Sequence, residues 1–365
     1  MKIAYLANVR FPSERAHATQ VAYTCQSFCE NDATVELFVN TRSKASKKEV
    51  DEYFKINSKL QLQRLSSGIF FPKIRLAFYM SEIFFTLHFI CRFNIRNYDM
   101  FFSRSEWIVW CLSFFVPSEK LVWESHEAKL NYPARKVLNK NVKIVVISEG
   151  IFDEYRLYGI AGCKMTVAHD GIDESFFNTP VSKEVARQHL NLSVESKIVM
   201  YIGGFDRWKG VETFFAASNL CPKISFVAIG GEEKEIFEFI KKYPRVNFLG
   251  QKPYFDLKDN QQAADVLVIP NSGKERLSSH YTSPLKLFAH MASGIPLVAS
   301  NIPSIRRITG TKNVTLVDPD SPEALVSGVL SVFESLEYKK ELAQNLVTLT
   351  RAYTWNERAK RILTK

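Results

Sequence analysis

Two stretches in the second half of this 365-residue chain bring glycines, lysines and helix starts together in the manner of an anion site. Met200-Tyr-Ile-Gly-Gly-Phe-Asp-Arg-Trp-Lys-Gly210 reads as a buried strand running into Gly203 and Gly204, then a short loop with Arg207 and Lys209, then a helix. Backbone N–H groups at such a junction, with the positive end of a helix behind them, suit an anion, and a lysine adds a mobile charge for a phosphate. A tight strand-to-helix turn with a solvated lysine accounts for the same residues, and both readings stay open. The spacing is neither a Walker A loop nor GxGxxG. In Tyr281-Thr-Ser-Pro-Leu-Lys-Leu-Phe-Ala-His-Met-Ala-Ser-Gly294, Ser283 reads as an N-cap and Pro284 as the first turn, which leaves N–H groups over 283–286 at a helix start. An ordinary capped helix ending at Gly294 fits equally well. Two such junctions in one domain favour a diphosphate between them.

Other residues have chemistry of their own. His126 follows an apolar strand, and Arg15 and His17 open the helix after the first strand; both are positions where ligands of α/β sheets sit, and both also suit packed or solvated side chains. Asp318-Pro-Asp320 matches the Asp-x-Asp of metal-dependent transferases, but Asp320-Ser-Pro-Glu323 reads as a capping box opening a helix at 322–335, so no metal site is assigned. No Ser-His-Asp order or nucleophile elbow stands out.

The elements that must position these groups alternate along the chain. Apolar runs at Lys2–Val9, Val35–Asn40, Met100–Ser103, Leu121–Glu124, Val142–Ser148 and Met165–Ala168 read as strands, with helices at 16–30, 74–92 and 149–158. After His169-Asp170-Gly171 the rhythm restarts, with strands at 198–202, 224–229, 246–249, 266–269, 297–299 and 314–317 and helices at 210–219, 233–242, 284–293 and 322–335. The pattern predicts an α/β protein of two Rossmann-like doubly wound domains facing a cleft, bounded at 1–172 and 173–350, with a last segment at 351–365. No internal repeat or low-complexity segment interrupts it.

Composition narrows the partners. The net charge of +10, from 48 Lys plus Arg against 38 Asp plus Glu, is scattered rather than gathered in a tail. That disfavours a nucleic-acid partner and leaves anionic small molecules or an anionic membrane surface. Six dispersed cysteines without a CxxC pair fit a reducing cytoplasm. The N-terminus lacks a signal-peptide layout and no window reaches the roughly 20 apolar residues of a membrane span. The stretch 74–92 mixes aromatic and basic residues, which suits either a core helix or a helix lying on the inner face of the cytoplasmic membrane.

Taken in order, several segments resemble the retaining nucleotide-sugar glycosyltransferases of family 4, of capsule and lipopolysaccharide type, with the two-domain GT-B fold. Phe11-Pro-Ser-Glu-Arg-Ala-His-Ala-Thr-Gln-Val21 is similar to the family's first loop and helix, Trp123-Glu-Ser-His126 to its Glu-x-His, and Val146-Ile-Ser-Glu149 to its Val-x-Ser segment. Val167-Ala-His-Asp-Gly-Ile-Asp173 resembles its Asn-Gly-Val-Asp with Asp170 in place of Asn, and Tyr353 to Arg358 its last helix, which in the family crosses back onto the first domain. The resemblance implies a transfer from a nucleotide-diphosphate sugar to a hydroxyl of a glycan or lipid-linked glycan, without cofactor or metal. It places Gly203, Gly204, Arg207, Lys209, Ser283, Pro284, Leu285, Lys286 and Ala289 on the donor, and Ser13, Arg15, His17, Glu124 and His126 on the acceptor, with His126, Lys209 and Ala289, the position of an expected glutamate, catalytic.

The sequence also departs from the family. An arginine common in relatives falls on Gly204, with Arg207 as its partial replacement, and the two glutamates of Glu-x7-Glu fall on Tyr281 and Ala289. A carboxylate at 289 would hold the donor ribose, so impaired transfer is expected, whether the alanine is natural or introduced, and Ala289→Glu is expected to raise donor affinity or turnover. An epimerase or hydrolase on the same fold, and a silent sugar-nucleotide binding or scaffold protein, are the rival readings.

Overall fold

A computed structural model of the chain describes residues 1–13, 16–56, 59–68 and 75–364. The chain forms two compact units, Met1–Asp170 with Trp355–Lys365, and Gly171–Thr354.

The first unit is built on seven parallel strands, β1 (Lys2–Ala7), β2 (Thr34–Asn40), β3 (Gln61–Leu65), β4 (Met100–Ser103), β5 (Leu121–Ser125), β6 (Lys143–Val146) and β7 (Met165–Val167), in the order β3-β2-β1-β4-β5-β6-β7. Ile3 to Leu6 and Leu121 to Trp123 are buried on both sides, as a parallel strand covered by helices requires. The helices are α1 (Ala16–Glu30), α2 (Lys47–Phe54), α3 (Arg75–Arg92), α4 (Glu106–Leu112), α5 (Tyr132–Leu138) and α6 (Glu149–Leu157). Chain order reverses between β1 and β4, so the carboxyl ends of those strands flank the ligand crevice of such a sheet. The strand expected over 142–148 stops at Val146 because Ser148 turns out to accept the N–H of Ile151 and cap α6.

The second unit carries α7 (Lys183–His189), β8 (Ile198–Ile202), α8 (Val211–Leu220), β9 (Ser225–Ile229), α9 (Glu233–Lys242), β10 (Val246–Phe248), α10 (Leu257–Asn260), β11 (Val266–Ile269), α11 (Leu285–Met291), β12 (Leu297–Ser300), α12 (Pro303–Thr309), β13 (Thr315–Val317), α13 (Pro322–Glu334) and α14 (Leu336–Thr350). Its six strands are ordered β10-β9-β8-β11-β12-β13, with the reversal between β8 and β11. Side chains alternate across β8, so Ile198, Met200 and Ile202 join one core cluster and Val199 and Tyr201 the other. Gly210, at φ +63°, is compulsory at the end of the β8 turn, since a Cβ there would lie 2.0 Å from the Pro270 carbonyl oxygen.

A last helix, α15 (Trp355–Leu363), belongs to the first unit and packs on α1, with the Trp355 ring stacked on Tyr23 at 6.1 Å. Among the described residues no helix is long and apolar enough to cross a membrane. Helix α3 buries Ser81, Glu82, Phe85 and Phe89 but leaves Leu76, Phe78, Met80, Phe84 and Leu87 exposed. It is therefore a core helix with an apolar outer face.

Candidate functional site

In the second unit the carboxyl end of β8 opens into the turn the sequence singled out. The Gly203 N–H donates to the Ile229 carbonyl at 2.9 Å, and the Tyr201 hydroxyl donates to the Gly204 carbonyl at 2.6 Å, which fixes the glycine pair. Lys209 closes a 3-10 turn with Arg207 and Trp208, its ammonium 2.6 Å from the Asp206 carboxylate. Lys286, on α11, reaches the same turn: Nζ lies 4.6 Å from the centre of the Tyr201 ring and 3.5 Å from its hydroxyl. Desolvation, then the neighbouring Lys209 ammonium, holds the Lys286 amine well below the usual lysine range. Two lysine side chains thus meet one glycine turn beside the switch point of the sheet. Arg207 is exposed on the same turn.

Two sequence expectations change here. The N-cap of α11 is Pro284 rather than Ser283, and no side chain caps that helix, because the extended backbone at Pro284 delays the first turn to Leu285. Asp320 does not begin a capping box: Ser321 caps α13 through the Ala324 N–H, while Asp320 accepts the Gly273 N–H at 3.0 Å. Ala289 has no exposed surface and sits in the apolar cluster with Leu287, Phe288 and Met291. The adjoining His290 is equally buried, held by Gln261 at 3.2 Å and kept neutral by desolvation and Lys286, with its pKa lowered to about 3.

In the first unit the carboxyl end of β5 presents Glu124 and His126. Glu124 is fully buried, and its Oε2 takes Arg358 of α15 at 2.5 Å while Oε1 takes Gln20 of α1 at 2.6 Å. Gln20 also donates to Asp170 at 3.1 Å and accepts from Arg104 at 2.6 Å; Arg358 donates to Thr24 at 3.2 Å. Burial alone would raise the Glu124 pKa, but Arg358, His126 and Arg104 hold it well below the usual range. Both Glu124 oxygens are thereby engaged by protein partners, Oε1 by Gln20 and His126 and Oε2 by Arg358. Arg104 carried no motif signal, while Gln20 and Arg358 lie in two of the segments that resemble the family.

His126 is the half-buried member of this network. Its Nε2 lies 2.5 Å from Glu124 Oε1, and burial with Arg104 nearby lowers its pKa to about 4, so the ring is neutral near pH 7. A neutral ring that donates Nε2–H to the carboxylate keeps Nδ1 as an acceptor, which suits a hydroxyl. Asp170 moves the other way, raised by burial to about 6. Ser13 and His17 flank the start of α1, where His17 is half-buried; Arg15, expected beside them, lies outside the described residues.

Behind this end of the sheet Asn8 donates to Ser81 at 2.9 Å and to Glu82 at 3.1 Å. Burial raises the Glu82 carboxyl to about 7 against its hydrogen bonds to Ser105 and Asn8. Since the folded value lies above the ordinary carboxyl value of 4.5, the folded state binds the extra proton and loses stability as pH rises from about 4.5 to about 7. Glu82→Gln removes that titration and keeps an oxygen for Asn8. Urea unfolding is expected to find the variant more stable than the parent at pH 8 by about 2–3 kcal/mol, with the gap closing near pH 4.5. An equal gap at both pH values would count against the assignment.

Known proteins resemble this chain in sequence and in fold. Residues 196–335 match the family described as Glycosyl transferases group 1. That stretch is similar to a group 1 glycosyl transferase domain. It contains the whole β8 turn with Lys209 and the start of α11 with Lys286. A D-inositol 3-phosphate glycosyltransferase of Corynebacterium urealyticum is 23% identical over 246 residues, covering 62% of this chain and 55% of that protein. The chain spans about half the length of the curated relatives it matches first. Sucrose-phosphate synthase of Thermosynechococcus elongatus superposes with a TM-score of 0.79 at 19% identity, covering 99% of this chain and 97% of that one. Anabaena HepE, in complex with UDP-glucose, superposes with a TM-score of 0.73 at 17% identity over 100% and 99% of the two chains. The Rossmann-like pair expected of a GT-B protein is thus the fold of this chain.

Proposed function

We propose that the chain transfers a sugar, with retention, from a nucleotide-diphosphate donor held by the group 1 domain to a hydroxyl of a glycan or lipid-linked glycan held by the first unit. The observation that carries this reading is the meeting of Lys209 and Lys286 at the Gly203–Gly204 turn, where the charge of a leaving diphosphate would be stabilised. The complex of HepE with UDP-glucose supports a nucleotide-sugar donor. On the acceptor side His126 offers a neutral ring, oriented by Glu124, to a hydroxyl. Same-face attack with the donor phosphate taking the acceptor proton needs no side-chain nucleophile. The test is release of nucleoside diphosphate from a panel of nucleotide sugars, with and without membrane glycolipid extract. Acceptor-dependent release supports transfer; release without acceptor supports the hydrolase reading.

The transfer needs no metal in this reading, in which Lys209 and Lys286 meet the charge of the leaving diphosphate. Turnover is expected to be unchanged in excess chelator; loss of turnover restored by Mg²⁺ or Mn²⁺ would overturn metal independence. A place on the inner face of the cytoplasmic membrane belongs to the same reading; the membrane contact is supported by the exposed apolar side of α3 and by exposed Phe114, Phe115 and Tyr132, with Lys140 over Phe114 and Lys136 over Tyr132. A silent binding protein is the second reading, favoured by Tyr281 and Ala289 standing where the family resemblance leads one to expect glutamates.

A further inference from the structure

One carboxylate sits among the cations of the β8 turn. Asp206 Oδ2 lies 2.6 Å from Lys209 Nζ, and the pair lies flat on Gly204: a Cβ at that residue would be 2.8 Å from the ammonium and 3.2 Å from the carboxylate. With no side chain of its own, Gly204 leaves room for the pair. Desolvation works against the Asp206 carboxylate, but Lys209, the backbone and Lys286 together keep it below the usual range. The Lys209 side chain is only 22% exposed while that of Asp206 is 56% exposed, so the carboxylate is the partner with room to swing into water.

We propose that Asp206 is a resident counterion for Lys209, which it holds in the donor's absence, yields to the donor diphosphate, and recaptures as the nucleotide leaves. This rests on the reading that Lys209 meets a diphosphate. An ammonium facing a second lysine without a counterion is unfavourable, and a carboxylate on the same turn relieves that in the empty site. The same carboxylate competes with every incoming phosphate. Asp206 is thus a positioning residue that weakens the ground-state grip on nucleotide and speeds release of product.

The experiment is calorimetry of uridine diphosphate, adenosine diphosphate and inorganic diphosphate on the full chain and on Asp206→Asn, Asp206→Glu, Lys209→Ala and the double Asp206→Asn/Lys209→Ala variant. Asp206→Asn is expected to tighten binding about threefold to tenfold and Asp206→Glu to stay near the parent, with no gain in the Lys209→Ala background. Steady-state inhibition by the nucleoside diphosphate should tighten in parallel. Weaker binding in Asp206→Asn would make Asp206 a residue that orients Lys209, and tightening that persists without Lys209 would make its effect general; either outcome overturns the proposal. Binding unaffected by Lys209→Ala would instead overturn the underlying assignment of Lys209, and the proposal with it.

Discussion

Lys209→Ala is expected to weaken binding of a nucleoside diphosphate by about tenfold to a hundredfold, the effect of losing a charge-assisted hydrogen bond of roughly 1.5–3 kcal/mol. The loss should exceed that of an exposed lysine because the Lys209 ammonium rests against backbone with its side chain 22% exposed, where water screens less. Lys286 compensates only in part: burial and the neighbouring Lys209 hold its amine well below the usual lysine range, so it brings less positive charge to a phosphate. Fold stability should change little, since the Lys209–Asp206 pair is half in water and such pairs contribute about 0–1 kcal/mol. Calorimetry that finds affinity unchanged in a folded Lys209→Ala protein would remove Lys209 from the donor site.

The largest effect on stability is expected from Arg358→Met. That substitution leaves Glu124 buried without its strongest partner, and a buried charge stripped of its pair typically costs about 3–5 kcal/mol. The double variant Glu124→Gln/Arg358→Met removes both charges and should recover much of the loss. Because Glu124 titrates well below the ordinary carboxyl value of 4.5, the pair's contribution is full above that pH and is lost as pH falls through the depressed value. The difference between parent and Arg358→Met should accordingly shrink in acid. Urea unfolding at pH 7 and about pH 3.5 reads both effects; a single variant within about 1 kcal/mol of the parent at pH 7 would show that Arg358 does not hold Glu124.

What could be read from the chain depended on how local the signal was. The central strands are continuous apolar runs, so β1, β4, β8 and β11 were legible to within two residues. β3 was not, because Gln61, Gln63 and Arg64 give an edge strand no apolar run. The seven-residue helices α4, α5, α7 and α12 span two turns, too few to show a period. At the site, glycines and Lys209 lie within one segment and were visible together. Glu124 and Arg358 are 234 residues apart, so the pairing that makes Glu124 a support for His126 exists only in the folded chain. Ser283 misled for a local reason: a serine before proline looks like a cap, but Pro284 takes the cap position itself.

The most direct test of a donor site at the β8 turn is a crystal structure of the chain with uridine diphosphate. The diphosphate should lie within hydrogen-bond distance of Lys209 Nζ and of the Gly203–Gly204 backbone, with Asp206 turned away into solvent. An ordered nucleotide elsewhere, or one bound while the Lys209–Asp206 pair stays closed, would contradict that assignment.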